Sequence, residues 1–202
     1  IMIRTAEFVS PQHPDKLCDI ISDSILDEFL KQDPDSRVAI ETMGGHGKVH
    51  LCGEITSKAK VSNKALKDLV FEISGVKDVT INIVKQSPEI SQGVDTGGAG
   101  DQGIMIGYAC DENSDCVPQE YYLARKLNKF IYKEYPFDGK TQVTMNGNSL
   151  RVVVSFQNAP TKRLIELTQR FFRKYPQYQL FALHCNPAGD WSQGGFEADA
   201  GV

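Results

Sequence analysis

The sequence lacks any strong excess of charge. Its 22 Lys and Arg residues stand against 26 Asp and Glu, a net charge of −4 over 202 residues, with a pI near 5.6. A mildly acidic chain with both signs interspersed lacks the basic face of a bulk nucleic-acid binder. No apolar run approaches the ~18 residues that a membrane span requires. The opening Ile1-Met2-Ile3-Arg4 has none of the long apolar stretch of a signal peptide. Cys-x-x-Cys is also missing. The five cysteines are an odd number, which argues against a disulfide framework and for a reduced, cytoplasmic setting. His46, His50 and Cys52 lie close together but without paired-ligand spacing, and they read as a turn histidine and strand residues rather than a zinc site. At 41% hydrophobic residues, the chain is too apolar to be disordered.

What is present is a repeat. Residues 3–9 read as a strand. Pro14 suits the first position of a helix, whose apolar face is Leu17, Ile20, Ile21, Ile25 and Phe29 and which ends near Asp33-Pro34. Asp19, Asp23 and Asp27 form its wet face. Strands are expected over 37–43 and 48–56, around a Gly-rich turn. Ser62 caps a second helix that Gly75 stops, and Val79, Ile81 and Ile83 alternate as a strand. A Gly/Ser/Asp-rich loop is expected from Gln86 to Gly103, then an apolar strand over Ile104–Ala109. The same order returns roughly a hundred residues later, a spacing suited to a duplicated domain rather than a solenoid. It comprises a helix over 118–135, a hairpin turning at Asn146-Gly147, a helix capped by Thr161, a strand over 179–184 and a Gly-rich loop over 186–201. Hairpins with one face to cover, and amphipathic helices to cover it, imply an α+β fold of repeated two-layer α/β sandwich units of βαββαβ type.

Several segments carry candidate chemistry. In Ser10-Pro11-Gln12-His13-Pro14-Asp15-Lys16, a helix N-terminus aims backbone N–H groups and a positive dipole at whatever precedes it. His13 and Lys16 add donors there, and Asp15 suits a divalent cation beside a polyphosphate. The plainer reading is that His13 caps the helix and Asp15 complements its dipole. Gly98-Ala99-Gly100-Asp101-Gln102-Gly103 matches the dinucleotide fingerprint literally. It follows a loop and precedes an apolar strand, which is the wrong context, so the glycines read as a turn presenting Asp101. Glu41 and Glu54 stand among apolar neighbours on the first hairpin. Asp138 and Lys140 enter the second.

Taken together and in order, these segments resemble S-adenosylmethionine synthetase. They are His13-Pro14-Asp15-Lys16, Glu41-Thr42, Gly53-Glu54-Ile55-Thr56, Ser91-Gln92-Gly93-Val94-Asp95, Gly98 through Gly103, Asp138-Gly139-Lys140-Thr141, and Asn186-Pro187 through Asp199-Ala200-Gly201. The resemblance implies a transferase that joins methionine to ATP and hydrolyses the released triphosphate to pyrophosphate and phosphate. It implies that His13 and Lys140 contact the polyphosphate, that Asp15 ligates one of two Mg2+ ions, and that Glu41 serves an activating K+. Glu54, Gln92 and Asp101 would hold methionine, and Asp138 and Asp199 would lie around the ribose or amino acid. Trp191 would stack on adenine, while Glu7 and Lys16 match motif positions without a firm role. Active sites shared between subunits imply a homodimer or dimer of dimers.

The resemblance further implies three units, of which two are present: 13–100, and 112–190 possibly with 1–12. Residues 101–111 and 191–202 would belong to an incomplete third. The alternative is a truncated or non-catalytic relative that binds nucleotide or pairs with a complete subunit. Three departures stand out: Gln12 in place of the usual Gly, only Thr96 and Gly97 where a gating loop is expected, and Asp190 in place of an arginine.

Overall fold

The structure, a computed structural model, describes residues 2–99 and 102–202. The chain divides into two compact units. One combines the residues up to Lys16 with Tyr108–Ala198; the other comprises Leu17–Gly107 and Asp199–Val202.

The first unit holds strand β1 (Arg4–Val9), helix α4 (Gln119–Tyr132), strands β5 (Gly139–Asn146) and β6 (Ser149–Phe156), helix α5 (Thr161–Phe172) and strand β7 (Gln179–Cys185). Its sheet runs β1-β5-β6-β7, antiparallel except for the parallel β6–β7 pair. Alternation along β5 and β6 sends Val143, Met145, Leu150, Val152, Val154 and Phe156 to one face. There they meet Leu123, Leu127 and Ile131 of α4 and Leu164, Leu167 and Phe171 of α5 in one core. Burial of these side chains is the main stabilising term, at roughly 1.5–3 kcal/mol each. Two polar side chains cross this layer. Buried Asn128 donates to the Phe8 carbonyl at 3.2 Å, and buried Thr141 donates to the Ala124 carbonyl at 2.8 Å. The first ties helix α4 to the edge strand β1, and the second ties it to β5.

The second unit holds helix α1 (Pro14–Leu30, from Leu17 onward), strands β2 (Arg37–Gly45) and β3 (Lys48–Thr56), helix α2 (Asn63–Ser74), strand β4 (Asp78–Val84), helix α3 (Pro88–Asp95) and the short strand β8 (Ala200–Gly201). Its sheet order is β4-β3-β2-β8. Leu17, Ile21, Ile25 and Phe29 of α1 are buried, as are Val49 and Leu51 of β3. The Ser22 and Thr42 hydroxyls bond at 2.8 Å and tie α1 to β2. Asp19, Asp23 and Asp27 lie on the exposed side of the helix. Ser62 caps α2 through the Ala65 amide, and Gly75 ends it in the left-handed region at φ 72°.

The sequence expectations fail in three places. A helix, α3, stands within the span expected to be a continuous loop. Pro88 is pre-set for a first helical position and outweighs the Gly/Ser composition that follows. The expected strand over 104–109 does not form. Ile104, Met105 and Ile106 are about nine-tenths exposed, because alternation creates a face but not the neighbouring strand that a ladder requires. Thr161 does not cap α5. Pro160 occupies the cap position and makes no side-chain cap bond, while Thr161 is itself bonded by Asp190, which is distant in sequence. Among the described residues, no helix is long and apolar enough to cross a membrane.

Gly53 is required by a close approach. At φ +150°, a Cβ there would lie 1.9 Å from the Ala39 carbonyl oxygen on the paired strand. Gly53→Ala is expected to cost on the order of 1–3 kcal/mol, read as a fall in denaturation midpoint. An unchanged midpoint would mean the β2–β3 pairing relaxes freely beside Glu54.

Candidate active site

The first unit gathers one group of the singled-out residues, and Ser10 is the reason. This buried serine donates its amide to the Gly139 carbonyl at 2.8 Å and its hydroxyl to the Phe137 carbonyl at 2.9 Å. Its own carbonyl accepts the His13 amide at 3.0 Å. The turn that opens α1 is thereby pinned against the turn that opens β5. His13 Nδ1 accepts the Asp15 amide at 3.3 Å, so His13 does cap the helix. This bond assigns the neutral tautomer with its hydrogen on Nε2, leaving a donor on the far side of the ring. Asp15 is exposed, with an oxygen 3.7 Å from the same Nδ1.

Strand register extends the site from this point. The β1–β5 ladder puts Val9 opposite Lys140, and the β5–β6 ladder puts Lys140 opposite Ser155. Paired residues share a face of the sheet. Lys140 Nζ lies 3.5 Å from Glu7 Oε2, a half-exposed pair contributing little to stability and free to exchange for an anion. Across from Lys140, the Ser155 hydroxyl accepts the Trp191 indole N–H at 3.0 Å. Trp191 with Asn158, Ala159, Pro160, Asp190 and Ser192 lines a cavity of about 290 Å³.

Asp138 is buried, and its carboxylate accepts the Gly195 amide at 3.0 Å. Gln157 donates to the Ser192 carbonyl at 2.8 Å. Asp190 Oδ1 accepts from the Thr161 amide and hydroxyl at 2.9 and 2.6 Å and from Asn186 at 3.1 Å. The Thr161 hydroxyl first, then Asn186, hold the Asp190 carboxyl below the usual carboxylate range. The resulting anchor is fully present above the ordinary carboxylate range and is lost only as pH falls through the lowered value.

The other unit carries Glu41, Glu54, Gln92 and Asp199. Glu41 is exposed on β2 opposite Cys52, and Glu54 lies on β3 between Ala39 and Val84. Gln92 is in α3, whose last residue, Asp95, pairs with Arg37 at 2.7 Å. Asp199 accepts the Ala200 amide at 2.8 Å, at the head of the strand that pairs with Gly44 and Gly45. Asp101 lies outside the described residues.

Among the described residues, no three His, Cys, Asp or Glu side chains gather as a metal cage. The exposed Asp15 carboxylate fits Mg2+ only in the mode that uses one or two protein carboxylates, with water or a bound anion supplying the other ligands. Sequence reasoning placed Ser10 and Asn186 in motifs without giving them a role, and it missed Ser155 and Gln157. The Asn146-Gly147 turn sets the hairpin register, so Ser155 could have been found by counting outward from it to the partner of Lys140. Ser10, which pins a strand to a turn over a hundred residues away, has no comparable local signal.

The family models for S-adenosylmethionine synthetase match residues 2–96 (N-terminal domain) and 96–190 (central domain). The chain is 37% identical to an S-adenosylmethionine synthase of Parafrankia sp. (strain EAN1pec), covering 98% of this chain and 63% of that one. It is 38% identical to one of Prochlorococcus marinus (strain AS9601), covering 99% and 62%. A solved S-adenosylmethionine synthetase from Campylobacter jejuni superposes with a TM-score of 0.84 at 29% identity, covering all of this chain and 62% of that one. An α+β protein of two-layer units with His13, Asp15 and Lys16 at a helix N-terminus is thus defined in kind, and the matches make it specific. The chain belongs to the S-adenosylmethionine synthetase family. It spans a little under two thirds of the length of these relatives.

The position of Lys140 depends on Gly139. A Cβ there would lie 2.4–2.5 Å from the ring of the cross-strand Phe156, which is wholly buried and cannot retreat. Gly139→Ala is expected to cost about 1–3 kcal/mol through overpacking, seen as a lower melting temperature. Phe156→Leu should recover part of the loss in the double variant, and additive losses would refute the clash.

Proposed function

We propose that the protein takes part in forming S-adenosylmethionine from ATP and methionine, with hydrolysis of the released triphosphate to pyrophosphate and phosphate. The observation that carries this reading is the row in the first unit: His13, Asp15 and Lys16 at a helix N-terminus, Lys140 across from Val9, and Trp191 bonded to the residue across from Lys140. Cations at one end suit a polyphosphate, and an indole at the other suits a purine ring.

A thioether sulfur is a neutral nucleophile. It attacks the ribose 5′ carbon with its own lone pair, the C5′–O bond breaks, and the electron pair leaves on the triphosphate. No proton moves in that step, so no general base is needed. What the protein must supply is in-line positioning and stabilisation of the leaving polyanion. The His13 Nε2 hydrogen and the Lys140 ammonium provide the stabilisation. Asp15 would hold Mg2+, which supplies charge neutralisation on the phosphates when bound, and Glu41 would serve K+. Glu54, Gln92, Asp101, Asp138 and Asp199 take the methionine and ribose roles that the family resemblance implies. The assembly is a homodimer or dimer of dimers in the cytoplasm. A second reading is a non-catalytic relative that binds nucleotide or pairs with a complete subunit.

Incubating the 202-residue chain with ATP, methionine, Mg2+ and K+ separates the two. Sulfonium product with phosphate release supports catalysis. Nucleotide binding without product selects the second reading, and no binding refutes both. Lys140→Ala should weaken tripolyphosphate binding about tenfold and, where turnover occurs, lower kcat by about 10²–10³. Isothermal titration and product chromatography would read the two effects. An unchanged tripolyphosphate affinity would remove Lys140 from the phosphate site.

A further inference from the structure

The cavity beside Trp191 is walled by a loop that few local forces favour. Residues 186–192 have little secondary structure of their own, and Asn186 and Gly189 adopt positive φ values of 43° and 102°. Such a loop would normally sample many states. Here it is tied at several points. Buried Asn186 accepts the Phe156 amide at 3.2 Å and donates to the Ala159 carbonyl at 2.8 Å. The Trp191 carbonyl accepts the Asn158 amide at 2.8 Å. The Ser192 carbonyl accepts from Gln157.

Next to the indole, the side chain of Asp190 reaches out to another element's terminus. Its Oδ1 takes both donors of Thr161 at the start of α5. A carboxylate at a helix N-terminus is favoured by the dipole, and bonds to an ionised acceptor are about twice as strong as neutral ones. Pro160 cannot supply a side-chain cap, so Asp190 fills that place from outside the helix.

We infer that the Asp190–Thr161 bond pair is a latch that presets the indole of Trp191 as a platform for the nucleobase. Asp190 is a positioning residue and acts through Trp191. The inference rests on the reading of this cavity as a nucleotide site. It adds that Asp190 fixes the wall of the site. A platform held in place before binding saves the ordering cost that a mobile one incurs on association. The latch therefore strengthens binding of the base and leaves binding of the phosphates alone.

Trp191 is the chain's only tryptophan, so its fluorescence reports this platform without interference. In the ligand-free chain, Asp190→Ala should raise acrylamide quenching at least about twofold, while Asp190→Asn, whose amide oxygen still accepts from Thr161, stays near the wild type. Titrated with adenosine, Asp190→Ala should bind about tenfold more weakly and Asp190→Asn within about twofold. Tripolyphosphate affinity, measured by calorimetry, should be the same in all three. Thr161→Val, which removes only the hydroxyl donor, should fall between and serves if Asp190→Ala fails to fold. Acrylamide quenching that ignores Asp190→Ala and Thr161→Val overturns the latch. So does an equal loss of adenosine and tripolyphosphate, which marks a general structural role. An indole that responds to Asp190→Ala but not to adenosine in the wild type overturns the nucleotide reading while leaving a latch without a base to hold.

Discussion

Ser10 makes two hydrogen bonds to the turn that opens β5 and a third within its own turn, joining segments 127 residues apart, and the candidate site depends on that junction. Without it, the helix N-terminus bearing His13, Asp15 and Lys16 would hang from strand β1 by a free turn. Lys140 would then have no set relation to it. The serine is fully buried, so its polar groups must be paired or cost about 1–3 kcal/mol, and the backbone carbonyls of Phe137 and Gly139 satisfy that requirement. Asn128 closes the same corner from the helix layer by reaching the Phe8 carbonyl. The acceptors at this corner are main-chain carbonyls, which have no rotamers to lose.

From that corner the order of the site follows the strand ladders. Val9, Lys140 and Ser155 face one another across three strands, and the last of them holds Trp191. One edge residue, one cation and one hydroxyl thus follow one another across the sheet. The sheet's other face is apolar and covered by α4 and α5. The division of labour is the usual one for a half-covered antiparallel sheet: alternate residues hold the core, and their neighbours are released for chemistry.

Much of this was legible before the structure, where the signal was local. Pro14, Ser62, Gly75 and the Asn146-Gly147 turn each act on their immediate neighbours, and the elements they imply are present. The motifs His13-Pro14-Asp15-Lys16 and Asp138-Gly139-Lys140 point to the family because both are short and contiguous. Ser155 and Asp190 were not legible as site-builders, since each matters through a partner on another strand or helix. The expected strand at Ile104–Ala109 shows the same limit from the other side, for alternation of apolar residues says nothing about what will pair with them. Thr161 has the residue type of a cap, yet in the fold it is the donor and a distant carboxylate is the acceptor.

The first unit is discontinuous in the chain, and its edge strand comes first. Arg4 pairs with Met145 and Val9 with Lys140. As the polypeptide leaves the ribosome, β1 has no partner until the β5–β6 hairpin has been made, more than a hundred residues later. The residues of the other unit are synthesised in between, and nearly all of them are available to collapse first. Closing so long a loop carries an entropic cost that local contacts do not repay until late. The order of synthesis thus makes the Ser10 corner among the last parts of the molecule to assemble, and a nascent chain halted before residue 139 would display the His-Pro-Asp-Lys turn without the surface that gives it a shape.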